Sequence, residues 1–177
     1  MKLEKIMKNN IILVGMMGAG KTFIGKKLKE TYVEYDLVDI DEYIEKTENK
    51  KISEIFAEYG EEYFRNLETS AIKTLCQNEK QIISLGGGAF ERKVNREILN
   101  VNGYTVYLKA SAKTLFERIK HETHRPLLQQ GFGEDKVAEI LNKRENNYSK
   151  ALITVANTDK TAYNIIDEIM KRINEYA

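Results

Sequence analysis

The sequence predicts an α/β fold of three layers, α/β/α, around a mostly parallel central sheet of about five strands. Three observations lead there. Short apolar runs of strand length alternate with longer helical patterns along the chain, and strands separated by helices imply βαβ units. The run "NIILVG" (10–15) enters a glycine turn that ends in a lysine and a hydroxyl residue. Later strand candidates also run into glycine or polar residues. Right-handed crossovers bring such strand ends to one rim, where open α/β sheets hold their ligands.

Taken in order, "NIILVG" reads as a buried strand and 21–31 as a helix, with Ile24 and Leu28 inward and Lys26, Lys27 and Lys29 outward. "YDLVDID" (35–41) has a short apolar centre that ends in carboxylates. Residues 52–77 carry helical spacing interrupted near Gly60, and "QIISLGGG" (81–88) is a strand entering a glycine turn. "REILN" (96–100) is helical, and "YTVYLKA" (104–110) has the β-branched and aromatic content of a strand. Residues 112–121 and 136–150 are helical and flank "RPLLQQGFGED" (125–135), a loop with the chain's one proline. "LITVAN" (152–157) is a last strand and 161–175 a last helix. With no repeat or linker, residues 1–177 are expected to form one domain, with a lid at about 120–136.

Composition removes several classes of function. The 177 residues carry 28 basic and 27 acidic side chains, a formal charge of +1. That balance speaks against a general nucleic-acid binder. No apolar run reaches membrane-spanning length, and the charged "MKLEKIMKNN" lacks the apolar stretch of a signal peptide. One cysteine, Cys76, excludes an internal disulfide framework, and two histidines give no zinc-site spacing. Cys76 follows Ile72 and Leu75 at helical spacing, as a structural thiol would. A reduced, cytoplasmic location is expected, with no membrane or nucleic-acid partner and a monomeric chain.

"GMMGAGKT" fits G-x-x-x-x-G-K-[ST], with Gly15, Gly20, Lys21 and Thr22 in the defining places. Glycines let successive backbone N–H groups converge on an anion, and the helix that follows adds its positive dipole end. Lys21 would reach the terminal phosphates of a nucleotide, and Thr22 would hold Mg²⁺ through its hydroxyl. Asp39 and Asp41 are two apart in "DID". If strand geometry continues, both point to one face. One would steady the hydrated metal and the other accept a hydrogen bond from an attacking hydroxyl; the plainer reading of Asp41 is a helix cap. Arg65 and Glu68 stand at i and i+3 in "FRNLE", where a surface ion pair is the default. Arg144 in "KRENNY" would by default sit on a solvated face. Gly86, Gly87 and Gly88 put bare backbone at the ligand rim, or else make a flexible turn.

In this order, "GMMGAGKT", "DID", "GEEYFRNLE", "GGGA", "RPLL", "KRENNY" and the final strand-loop-helix resemble the shikimate kinase family, one of the P-loop, nucleoside-monophosphate-kinase-like proteins. The likeness covers nearly the whole chain, and its combined motifs are far more specific than the P-loop alone. It implies ATP- and Mg²⁺-dependent phosphorylation of the 3-hydroxyl of shikimate, giving shikimate 3-phosphate and ADP on the aromatic amino-acid pathway. It implies nucleotide contacts from Gly18, Ala19, Gly20, Lys21, Thr22 and Phe23, with Thr22 ligating the metal and Asp39 supporting it through water. Lys21, Asp41 and Arg125 become the catalytic residues: Lys21 and Arg125 on the phosphates, the latter from a mobile lid, and Asp41 as the base that binds the ring hydroxyls. Arg65 and Arg144 would hold the shikimate carboxylate, with Gly86, Gly87 and Gly88 lining the same pocket. Arg118 would pack on adenine, with the loop after Asn157 on the other side. Phe23 stands where many relatives have a second hydroxyl residue, and Asn157 where they often have Asp.

The acceptor chemistry agrees. Arginine forks suit a carboxylate bidentately, and phosphoryl transfer asks chiefly for alignment and charge neutralisation. A gluconate kinase would meet similar demands, but FRxxE and GGG together favour shikimate. A nucleoside monophosphate kinase lacks support because the acceptor side shows no base pocket. A GTPase switch needs N-K-x-D and D-x-x-G; "NTDK" (157–160) has the wrong order, and D-x-x-G does not occur. A non-catalytic nucleotide-binding regulator is the remaining alternative.

Overall fold

The first strand, β1 (Asn10–Val14), is five residues buried end to end, and a strand buried on both faces belongs in the middle of a sheet. In the computed structural model, which describes residues 9–120, 133–158 and 160–176, it takes that place. The remaining strands are β2 (Asp36–Asp39), β3 (Gln81–Ser84), β4 (Gly103–Lys109) and β5 (Ile153–Ala156), in spatial order β2-β3-β1-β4-β5. Every pairing is parallel. The chain lays two strands on one side of β1 and then two on the other. This reversal opens a crevice beyond the carboxyl end of β1. Register aligns the rim: Leu13 and Asp39 both pair with Ser84.

The helices are α1 (Lys21–Thr31), α2 (Ile40–Glu48), α3 (Ile52–Leu75), α4 (Lys93–Asn102), α5 (Ala112–Ile119), α6 (Glu134–Tyr148) and α7 (Ala162–Tyr176), with a 3₁₀ turn at Ala89–Glu91. The core is aliphatic and runs through the sheet, with Ile12, Leu13, Ile83 and Val106 inaccessible to solvent. Asn10 is one of the polar residues buried in the sheet, with Ser84 and Thr105. Its Nδ2 donates to the carbonyls of Asn78 and Asn102, and its Oδ1 accepts from the Gln81 N–H, so a buried amide fastens the turns entering β3 and β4.

The expected strands and the interruption at Gly60 are present. Gly60 has φ 81°, ψ 176°, which breaks α3 into two axes. Sequence periodicity missed α2 and the 3₁₀ turn. The expected lid segment is bounded by the end of α5 and the start of α6, but residues 121–132, including Arg125, lie outside the described residues. No helix among the described residues is long and apolar enough to cross a membrane. Cys76 is half-buried, and burial pushes its thiol up to about 11, as befits a structural thiol.

Candidate active site

The turn after β1 is shaped by left-handed glycines. Gly18 and Gly20 have φ 77° and 81°, a region where side chains are strained. Space matters as well: a Cβ on Gly18 would stand 2.7 Å from Ile119 Cγ2 and 3.0 Å from the Leu115 carbonyl oxygen. Gly20 precedes α1 with no side-chain cap, so the first amide groups of that helix are left for an anion. Lys21 is buried, and its Nζ donates to the carbonyls of Gly15 (2.9 Å) and Met16 (3.0 Å). The ammonium is thereby fixed across the mouth of the loop.

Thr22 Oγ1 donates to Asp39 Oδ2 at 3.0 Å and lies 3.5 Å from Ser84 Oγ. One carboxylate and two hydroxyls at the ends of three elements form a hard, oxygen-only donor set. Such a set suits Mg²⁺ that keeps several waters and takes further oxygens from phosphates. Among the described residues no group of three or more His, Cys, Asp or Glu could hold a metal by itself. Thr22, Asp39 and Ser84 offer only part of a coordination shell, which such a cation completes with water and phosphate oxygens. Ser84 was not anticipated; a hydroxyl at the last position of a strand beside the phosphate loop was the available signal.

The expectation that Asp39 and Asp41 share one face of a strand is corrected. β2 stops at Asp39, and Ile40 opens α2. Asp39 is the helix cap, its Oδ1 accepting from the N–H groups of Asp41 (3.0 Å) and Glu42 (3.5 Å), which are among the orphan donors of a helix start. Its second oxygen remains for Thr22. Asp41 lies in the first turn of α2 and faces Gly86, where a Cβ would stand 2.8 Å from Asp41 Oδ1.

The three glycines are a packing surface for charged side chains, which replaces the flexible-turn reading. A Cβ on Gly86 would also meet Glu68 Oε1 at 3.0 Å, one on Gly87 would meet Arg144 Nη1 at 3.5 Å, and one on Gly88 would meet Arg65 Nη1 at 2.6 Å. The turn beyond them is held from α4: the buried Asn95 Nδ2 donates to the Ala89 carbonyl (2.8 Å), and Arg96 donates to the carbonyls of Phe90 and Glu91. Two clefts meet here. One of about 330 Å³ runs from Gly18–Phe23 past Asp39 and Asp41 to Gly86 and Gly87, with Arg118 at its edge. The other, about 400 Å³, lies between Gly88, Arg65 and Arg144.

The Arg65–Glu68 pair is not the surface pair that its spacing suggests. Glu68 is 1% exposed, and Arg65 Nη1 donates to its Oε2 at 2.7 Å. Burial raises the Glu68 carboxyl above its ordinary value; Arg65 and Arg144 pull it down, and Asp41 pushes it up. Arg65 also donates through Nε and Nη2 to the exposed Glu61. The sequence marks Glu68 only as the i+3 partner of Arg65 in "FRNLE", and its place in the site comes from the structure.

On the other flank, Arg118 donates to the carbonyls of Gly18 (3.2 Å) and Asn157 (3.0 Å). The buried Asn157 Nδ2 donates to the Ala19 carbonyl. Asn157 therefore clasps the phosphate loop from the end of β5, a role that needs an amide donor. Phe23 is 57% exposed at the cleft mouth. The structure thus brings every expected site residue within its described range to one rim, the phosphate residues on one cleft and Arg65 and Arg144 on the other.

The sequence pattern of the family described as shikimate kinase matches residues 17–174. The chain belongs to the shikimate kinase family. A shikimate kinase of Chlorobium phaeobacteroides is 40% identical over 174 residues, covering 94% of this chain and 91% of its own. A solved shikimate kinase from Acinetobacter baumannii, in complex with shikimate, superposes with a TM-score of 0.88 at 34% identity, covering 95% of this chain and 94% of that one. A gluconokinase from Sinorhizobium meliloti covers 97% and 94% with a TM-score of 0.55, but at 14% identity it shares the fold alone. This member of the shikimate kinase family is an ATP-dependent kinase with the five-stranded parallel α/β fold expected from its sequence.

Proposed function

We propose that the chain transfers the γ-phosphate of ATP to the 3-hydroxyl of shikimate, giving shikimate 3-phosphate and ADP. One observation carries the residue assignments: Asp41, Arg65 and Arg144, from three distant segments, converge on Gly86–Gly88 directly across from the phosphate loop. The family match and the likeness to an enzyme solved with shikimate support the choice of acceptor.

The reaction follows from this chain's groups. The glycine turn at Gly18–Gly20 and the first amides of α1 receive the phosphates, and Lys21 meets charge that develops on the transferred group. Thr22 and Asp39 would hold Mg²⁺, which supplies charge neutralisation on the phosphate oxygens when bound. Arg65 and Arg144 take the acceptor carboxylate by their forks, which leaves the ring hydroxyls towards Asp41. The Asp41 carboxylate orients the attacking hydroxyl and accepts its proton. Arg118 and the segment after Asn157 would border adenine, and by the family resemblance Arg125, which lies outside the described residues, would meet the phosphates.

Turnover of ATP by the purified protein is measured with shikimate, gluconate, AMP and no acceptor in parallel, with and without Mg²⁺. ADP release with shikimate and Mg²⁺ alone is expected. Equal turnover on gluconate, or none on shikimate, overturns the assignment.

A further inference from the structure

α6 brings Arg144 to the acceptor cleft and carries Tyr148 one turn later on the same face. Tyr148 is fully buried, and its ring lies against Tyr107 of β4 with centroids 5.2 Å apart. Its hydroxyl donates to the Gly87 carbonyl at 2.5 Å. The Arg144 guanidinium reaches the same glycine from the same helix, its Nη1 3.5 Å from where a Gly87 Cβ would stand. Burial pushes the phenol up to about 12, and Arg144 leads the influences that draw it back. The phenol keeps its proton for Gly87, and its oxygen retains lone pairs that can accept from a guanidinium held at that glycine. Phenylalanine would fill the same space in the core. What the hydroxyl adds is a single atom between two parts of the site that are 57 positions apart in sequence, Gly87 and Arg144 (144 − 87).

We propose that Tyr148 is a positioning residue for acceptor binding: its hydroxyl sets the Arg144 guanidinium against the Gly87 carbonyl, so that the arginine fork is preset for the acceptor carboxylate. This rests on the reading that Arg144 takes that carboxylate. Presetting lowers the ordering cost of a long side chain on binding, so its loss weakens acceptor affinity more than turnover. Tyr107 is an internal control. It is the other ring of the pair, and its hydroxyl also fastens α6, but it donates to Glu145 Oε2 at 2.5 Å.

The test compares Tyr148→Phe and Tyr107→Phe with the unaltered enzyme, varying shikimate and ATP separately and recording Tm. Tyr148→Phe is expected to raise the shikimate KM roughly 5- to 20-fold, the loss of a hydrogen bond to a charged group, while kcat and the ATP KM stay within about 2-fold on the same reasoning. Tyr107→Phe is expected to lower Tm without that KM change. An unchanged shikimate KM in folded Tyr148→Phe, or an equal rise in both variants, overturns the proposal. In an Arg144→Lys background Tyr148→Phe should add little, because the two act as a unit; a full second rise overturns it. If Arg144→Lys alone leaves the shikimate KM unchanged, the carboxylate reading itself fails and the proposal falls with it. Should Tyr148→Phe not fold, 3,5-difluorotyrosine at position 148 keeps the ring and hydroxyl but weakens the oxygen as an acceptor. A rise in shikimate KM of about 2-fold or more is then expected, and no change overturns the proposal.

Discussion

The phosphate side and the acceptor side of this site are built by opposite means. The phosphate side is one contiguous stretch, Gly15–Thr22, whose shape comes from left-handed glycines and from backbone groups aimed by a helix start. The proposed acceptor side gathers Asp41 from α2, Arg65 and Glu68 from α3, Gly86–Gly88 after β3 and Arg144 from α6. The first needs local geometry, fastened from outside at a few points such as the Asn157 amide on the Ala19 carbonyl. The second needs opposed charges at set distances, so it depends on how four segments pack. A binding site made of backbone is written in adjacent residues; one made of side-chain charges is written in the core that holds them.

The largest expected effect tests the phosphate side. Lys21→Ala should lower kcat about 10²- to 10³-fold or more in a folded enzyme, the scale of losing a charge-stabilising donor in the transition state. Unchanged kcat with intact circular dichroism would show that the loop binds without catalysing. Next, Gly88→Ala should break the acceptor side alone. Its Cβ would overlap Arg65 Nη1 at 2.6 Å, and a displacement of about 1 Å can cost up to about 10²-fold. The shikimate KM should rise at least about tenfold on that scale with the ATP KM unchanged. A matching rise in ATP KM would mean that the two sides are not separable.

Glu68→Gln tests the buried charge. The shikimate KM should rise a few-fold, as Arg65 loses a charged partner at 2.7 Å. The folded enzyme holds the Glu68 proton more tightly than the unfolded chain does, since its carboxyl is raised by burial. Stability contributed at this position is therefore greatest at acid pH and declines as pH rises above the ordinary carboxylate range. The Tm deficit of Glu68→Gln should narrow between pH 5 and neutrality; a deficit that widens would mean that the ion pair with Arg65 outweighs desolvation. The smallest effect tests the clasp between β5 and the phosphate loop. Asn157→Asp sets a carboxylate oxygen against the Ala19 carbonyl where Nδ2 now donates, a loss of about 1–3 kcal/mol for an unsatisfied buried group. Tm should fall and the ATP KM rise with the shikimate KM unmoved. A shift in the shikimate KM instead would tie the clasp to the other side of the site.

The same division governs how much could be read in advance. The strands, their parallel arrangement and the shared rim followed from alternating apolar runs. The helix α2 did not, because its start is a capping event: Asp39 ends a strand and receives two amides of the next helix with one oxygen, while the other faces Thr22. Periodicity has no signal for a side chain that does both. Glu68 was legible as an i+3 partner of Arg65, but its near-complete burial is a matter of what α2 and the glycines lay over it. Ser84 was marked only as a hydroxyl at a strand end, and Tyr148 by nothing in its neighbours.

The sequence by itself determined the class of fold and the phosphate loop, since each rests on side-chain type and spacing within a few positions, while the acceptor-side residues entered through the family resemblance. Only the tertiary structure decided which charges are buried, which aspartate caps the helix, and that three glycines carry two arginines and two carboxylates. Those outcomes depend on desolvation and on close approach between segments far apart in the chain, and no local pattern encodes either.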